Sequence, residues 1–453
     1  MGRSYIVEDN VEKYILNLNT MERSYITGLL IGQCSSQRDF VVWAVQSPEK
    51  EAQSPQPLRK SALGPFEDID EEWVNEHARQ VSRMLPGGLA VLGVFLITPP
   101  EQSKEAQTML RRLVFAVEKS IMRGKLWTLT DDDVSERVTL HICSKTKKVL
   151  CRTFDMRDPK SSAKPADWKY QSGVSSSWSV LQCNVEINLQ VPLSETSSDK
   201  DLDKCIKTEL QKWANLIEGS VCLINGQVRS DDKDFMDGQR KNTRGSGSQQ
   251  TFMVQLLTPS QGHFSVERTT ASVQFCSASI SLQGVVCCKA YIHSNKPKVK
   301  QAIQALKRDV LNTVSVRTEM LFEDFLLSEG DDMNSAAGKG QHMLPRRVFA
   351  PVLGCALGVC DYMFPDEAVA DLQERFREML DCDINEEHID MTQEVFGVCS
   401  NENSGEVVEN EIQQEELSKS SRKLTSMQRN VGVVMAAGVA IVATALSLLY
   451  FSD

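Results

Sequence analysis

The chain is 453 residues long and carries 50 Lys and Arg against 61 Asp and Glu, a formal net charge of −11. That balance excludes a typical nucleic-acid binder, which presents a basic surface. Thirteen cysteines are too few for a disulfide scaffold, and their scatter through apolar runs, with no Asn-x-Ser/Thr sequon anywhere, fits the reducing cytosol.

Residues 1–10 hold no apolar h-region and acquire Glu8 and Asp9 at once, so they do not read as a secretory signal. Gly2 is not followed by the Ser or Thr at position six that N-acylation favours; Ile6 stands there. The apolar run Tyr5–Val7 precedes Val11, Tyr14, Ile15 and Leu18 at helical spacing. Two strand-like runs follow, Tyr25–Gly32 and Phe40–Val45, joined by the polar turn CSSQRD. A Pro-rich linker leads to a helix with an acidic first turn at Asp70–Glu72 and a core stripe of Val74, Ala78, Val81 and Leu85. Pro86-Gly87-Gly88 stops that helix. Leu89–Ile97 is too short and too apolar for anything but a central strand covered on both faces. A second helix buries Leu110, Leu113, Val114, Val117 and Ile121.

Arg137–Cys143 and Val149–Phe154 read as a hairpin with a solvated basic tip at Lys145–Lys148, followed by a polar loop over 161–177 and a strand over Trp178–Val191. Further on, Ile206, Leu210, Trp213 and Ile217 line one helix face. Phe252–Leu257 and Val273–Ile292 are strand-like. Val299, Ile303, Leu306 and Val310 mark a long helix, Arg347–Phe364 is apolar, and Val369, Leu372, Phe376 and Leu380 line a last amphipathic helix. The pattern is a mixed α/β (α+β) protein with one unit over 1–195 and a second α+β unit over 200–400. Flexible inserts are expected at 229–250 and 328–343, and a polar juxtamembrane tether at 401–430.

From Val431 to Phe451 there are 21 residues without a charge. At about 1.5 Å per residue, a helix of that length spans the roughly 30 Å hydrocarbon layer of a bilayer. Lys419, Arg422, Lys423 and Arg429 precede the run, which marks that side as cytosolic. The expectation is a single-pass tail anchor with the folded part in the cytosol. Gly432, Ala436 and Ala440 recur every four residues. They either form a helix-association stripe or, more economically, are small residues scattered through the anchor.

Chemical motifs are sparse. No phosphate loop, dinucleotide fingerprint, nucleophile elbow or C-x-x-C pair occurs. Six histidines show no metal-ligand spacing, and no cofactor is expected. His77 falls on the polar side of its helix and reads as a solvated surface residue. Cys355 with Cys360 and Cys287 with Cys288 read as buried structural cysteines. A hydrolase is conceivable only if Cys143, Cys151 or Cys183 meets His77 or His141 in space.

The element order of the first 195 residues, with the strand Gly93-Val94-Phe95-Leu96-Ile97-Thr98-Pro99, resembles the MPN fold. Metal-bearing members have two zinc-binding histidines on this strand. Leu96 and Thr98 occupy those positions here, so the resemblance implies an MPN-like domain without metal or catalysis. The blocks SYIVEDNVEKYI, TGLLIGQ and MLPGGLAVLGVFLI, together with the C-terminal run, resemble the odorant-response-abnormal (Odr-four-like) family. That resemblance implies a non-enzymatic adaptor on the endoplasmic reticulum membrane, serving folding or trafficking of a subset of G-protein-coupled receptors. It also implies partnership with the cysteine protease specific for the ubiquitin-fold modifier. Glu72, Glu76, Arg79, Gln80 and Arg83, on the polar faces of the Asp70–Leu85 helix, are the expected partner face. The alternative is a membrane-tethered cysteine hydrolase.

Overall fold

Strand β1 (Ser4–Glu8) runs directly into α1 (Asp9–Asn17), which buries Val11 and Ile15 as their spacing predicts. The structure, a computed structural model, describes residues 2–18, 25–49, 66, 69–193, 199–237, 249–258, 278–328, 343–352 and 354–394. β2 (Ile26–Gln33) and β3 (Asp39–Gln46) form the expected antiparallel hairpin. α2 (Glu71–Arg83) begins where the Asp70 carboxylate accepts the Trp73 N–H at 3.1 Å, a side-chain N-cap. β4 (Ala90–Thr98), α3 (Ser103–Met122) and the hairpin of β5 (Glu136–Cys143) and β6 (Val149–Asp155) follow. The region expected as a polar loop contains two strands, β7 (Lys164–Pro165) and β8 (Asp167–Gln171). β8 pairs in parallel with β1 and turns Trp168 and Tyr170 inward.

These strands make one sheet in the order β7-β6-β5-β4-β2-β3-β1-β8. One face packs under α2 and α3 around Leu29, Val94, Leu96, Leu110 and Leu113. The other holds Tyr5, Leu30, Phe95, Ile97 and Leu140. β4 is therefore buried on both faces, as its unbroken apolar run requires. Leu30 pairs with Gly93 and Ile31 with Val91, so Leu92 is an extra residue, a bulge that exchanges the faces of β4 midway.

β9 (Ser179–Leu193), α4 (Asp199–Glu218), β10 (Val221–Ile224), β11 (Gln227–Val228), β12 (Thr251–Leu257), β13 (Ala278–Ile292) and α5 (Val299–Ser328) build a second layer. Its sheet order is β11-β10-β12-β9-β13, and α4 and α5 cover one face. β14 (Arg346–Pro351), β15 (Gly358–Met363) and α6 (Val369–Leu380) do not join this layer. Val348, Val359, Leu372, Phe376 and Leu380 pack into the α2/α3 core.

The expected boundary near 195 thus does not divide the cores: β9 belongs to the second sheet, and residues 348–389 complete the first core. Part of the insert expected to be flexible is folded. Phe235 is fully buried beside Phe252, with ring centroids 4.8 Å apart, and Arg229 donates to the Phe235 and Asp237 carbonyls at 2.8 and 2.9 Å. Residues 238–248, the insert over 329–342, the tether at 401–430 and the apolar run at 431–451 lie outside the described residues. Among the described residues no helix is long and apolar enough to cross a membrane.

The two layers meet at the Pro86-Gly87-Gly88 turn. Gly87 N–H donates to Lys289 O at 2.9 Å, and Gly87 O accepts from Tyr291 N–H at 2.8 Å. Gly88 has φ +80°, and a Cβ there would stand 2.1 Å from Tyr291 O, so only glycine fits. Gln33 seals the junction: its amide donates to Gly88 O at 2.8 Å and Tyr291 O at 2.6 Å, and accepts from His293 N–H at 2.7 Å. Beneath the turn, the Asp309 carboxylate of α5 accepts from Gly87 N–H (2.9 Å), Lys289 N–H (2.9 Å) and both terminal nitrogens of Arg347 (2.7 and 2.8 Å).

Asp309 and Arg347 are both essentially inaccessible to solvent. Removing one charge leaves the other buried without its counter-charge, which typically costs about 3–5 kcal/mol. Asp309→Asn is expected to lose stability of that order in urea titration of the purified chain. Asp203→Asn, which breaks the exposed Lys207–Asp203 pair on α4, is expected to leave the midpoint almost unchanged. Equal midpoints for the two variants would remove Asp309 from its central role.

Candidate functional site

The place to test for chemistry is the C-terminal end of the parallel β4–β5 pair, where Leu96 lies opposite His141 and Thr98 opposite Cys143. Leu96 is fully buried in the α2/α3 core and has no donor atom to offer a metal. Thr98 is also fully buried, and its hydroxyl lies 2.8 Å from His141 Nε2 and 3.2 Å from Pro99 O. The hydroxyl thus has both the ring nitrogen and the carbonyl within hydrogen-bond distance. Burial lowers the pKa of His141, which keeps the ring neutral. Among the described residues no group of three His, Cys, Asp or Glu side chains is arranged to hold a metal ion.

Cys143 lies two residues beyond His141 on the same face of β5. Its thiol pKa is lowered by the Thr146 hydroxyl and by the Thr146 amide, which lies 3.5 Å from Sγ. Cys151, across the hairpin, is pushed up to about 12 by burial. Cys183 faces Cys288 in the other sheet. Among the described residues no hydrogen bond joins a cysteine thiol to a histidine ring. Cys287, Cys288 and Cys360 are buried as expected, while Cys355 is half-buried.

The expected partner face on α2 turns out to be largely occupied from within the chain. Arg83 is buried and pairs with Glu319 (2.8 Å) and Glu323 (3.5 Å) of α5. Arg79 forms a fork with Glu76 (2.9 and 3.0 Å) and reaches Glu319 at 4.0 Å. Gln80 donates to Glu76 at 2.5 Å. Glu76, Arg79 and Gln80 are half-buried, and only Glu72 is exposed. The periodicity of α2 identifies a charged face correctly. It cannot tell a partner molecule from another helix of the same chain 236 residues away.

His77 is the clearest correction. Rather than facing solvent, it is 3% exposed at the junction of α2, β3 and α6. Its Nε2 lies 2.9 Å from the Met379 carbonyl and therefore carries the proton, while Nδ1 accepts from the Ser47 hydroxyl at 3.2 Å. His293 is likewise buried, stacked 5.0 Å from Phe40, with Nδ1 accepting from Asn295 N–H. Burial pushes both rings down to about 4.

The folded chain therefore holds these two imidazoles neutral where the unfolded chain, with an ordinary pKa near 6.5, binds protons. Their stabilisation is complete above pH 6.5 and is lost as pH falls toward 4. Each adds a slope approaching about 1.4 kcal/mol per pH unit in that window. Urea midpoints are expected to fall from pH 6.5 to 4.5, with a shallower fall for His77→Gln. A flat profile over that range would contradict the buried neutral rings.

Residues 28–391 match the family model described as ODR4-like, odorant response abnormal 4-like. The human protein odr-4 homolog is 50% identical over 458 residues, covering all of both chains. The Caenorhabditis elegans odorant response abnormal protein 4 is 22% identical over 367 residues, covering 80% of this chain and 73% of that one. Among solved structures, UfSP from C. elegans aligns with a TM-score of 0.41 at 9% identity, over 83% of this chain and 56% of that chain. On the family match and the full-length relatives, the chain belongs to the odorant response abnormal 4-like family.

Proposed function

We propose that this protein is a non-enzymatic adaptor held on the endoplasmic reticulum membrane by the run 431–451. In this reading its folded part, with an MPN-like first layer, lies in the cytosol. It recruits or activates the cysteine protease specific for the ubiquitin-fold modifier, and it supports folding or trafficking of a subset of G-protein-coupled receptors. The observation that carries this reading is the full-length relationship to the odr-4 proteins, which brings the family's implied role to this chain. Two features support it. The charge-free run of 21 residues has the length of a bilayer span and is preceded by basic residues. The end of β4, where a metal-bearing relative would place ligands, is filled by Leu96 and the Thr98–His141 pair. An anchored adaptor raises its partner's effective concentration at the membrane without chemistry of its own.

The hydrolase alternative keeps one specific observation, the lowered thiol of Cys143 beside His141 on β5. The same preparation tests both readings. Tagged full-length chain and a form ending at residue 430 are expressed in cells. The full-length chain is expected in the carbonate-washed membrane pellet and the shortened one in the supernatant, each co-purifying the protease. A shortened form that still pellets refutes the anchor. Absence of the protease from both refutes the partnership. Stoichiometric, activity-dependent labelling of Cys143 by a thiol-directed probe would favour the hydrolase.

A further inference from the structure

A cavity of about 510 Å³ lies where the Pro86–Leu89 turn, the end of α3, the segment after it and the first half of α5 converge. Its volume is in the range that small-molecule sites occupy. Four of the cations that line it are already neutralised. Arg137 forks onto Glu118 at 2.8 and 2.9 Å, and Arg308 meets Asp133 at 2.8 Å. Lys300 meets Asp132 at 2.6 Å, and Lys298 meets Asp234 at 2.6 Å. Lys125 differs. It lines the cavity, donates to the Asn312 side-chain oxygen, and has no carboxylate partner among the described residues. An ammonium has three donors, and here a single protein acceptor is in place.

We propose that this cavity is a binding site for a small organic monoanion with a flat apolar body, whose carboxylate pairs with Lys125. Lys125 Nζ sits 5.2 Å from the centroid of the Trp127 ring, and Trp127, Ile121 and Met122 supply apolar wall for the body of the ligand. Asp231 and Asp232, both exposed, also line the cavity and weigh against a ligand of higher negative charge. Burial lowers Lys125 to about 8. Glu319 and Asp309 of α5 act against that shift, and Arg83 of α2 acts with it. An anion favours the charged amine, so binding takes up a proton when the pH is above that value.

The test uses the purified full chain with 1-naphthoate as probe and neutral 1-naphthamide as control, read by tryptophan quenching and by calorimetry. Saturable naphthoate binding is expected, at least about tenfold tighter than the amide. Its affinity should fall about tenfold per pH unit above 8, because the ammonium is then the minority species. Lys125→Gln is expected to abolish the difference between acid and amide, while the exposed Lys207→Gln leaves it intact. In the unaltered chain, naphthoate should protect Lys125 from acetic anhydride, followed by peptide mass spectrometry. That arm does not depend on a variant that folds. Equal binding of acid and amide, no saturable binding, or no protection of Lys125 overturns the proposal.

Discussion

Asp309 is the residue on which the two layers depend. One carboxylate of α5 takes the Gly87 amide from the turn after α2, the Lys289 amide from β13 and the Arg347 fork from β14. Those groups come from three distant stretches of chain, and the Asp309 and Arg347 side chains are almost wholly shielded from solvent. A second buried pair repeats the arrangement nearby: Glu394 holds Arg317 at 2.6 Å and accepts the Cys287 and Arg347 amides at 2.6 and 2.8 Å. Buried pairs gain little over a well-packed apolar replacement. What these contribute is position, because their donors are satisfied only when all three segments are in register.

The elements legible in the sequence are those whose own pattern is strong. β4 is an apolar run bounded by Gly-Gly and Pro-Pro. α2, α3, α4 and α6 show helical stripes, and their apolar faces are the buried ones. Weak local patterns failed. β8 is five residues in a polar stretch and is a strand because β1 lies beside it. β10 and β11 are short and partly exposed. Phe235 sits in a run of Asp and Lys, and nothing local announces that it is fully buried.

The candidate site was legible in part, for the same reason. That Leu96 and Thr98 stand on a buried strand follows from the run around them. That Thr98 meets His141 depends on the parallel pairing of β4 with β5, which no spacing reveals. His77 was misplaced because a polar residue on a polar helix face looks solvated until α6 arrives to cover it with the Met379 carbonyl. Arg83 went the same way, through Glu319 of α5. In each case the deciding partner lies far along the chain, where composition and periodicity are blind.

The late origin of those partners bears on how the protein is made. The first sheet needs β8 beside β1, so its edge is incomplete until residue 171 has emerged. The core beneath α2 needs residues up to 389. At ribosomal speeds of about 5–20 residues per second, the interval between residues 171 and 389 lasts on the order of ten to forty seconds. Throughout it, the apolar underside of α2 and α3 has only part of its cover. A chain cut short before residue 348 would leave that apolar surface without the cover that residues 348–389 supply.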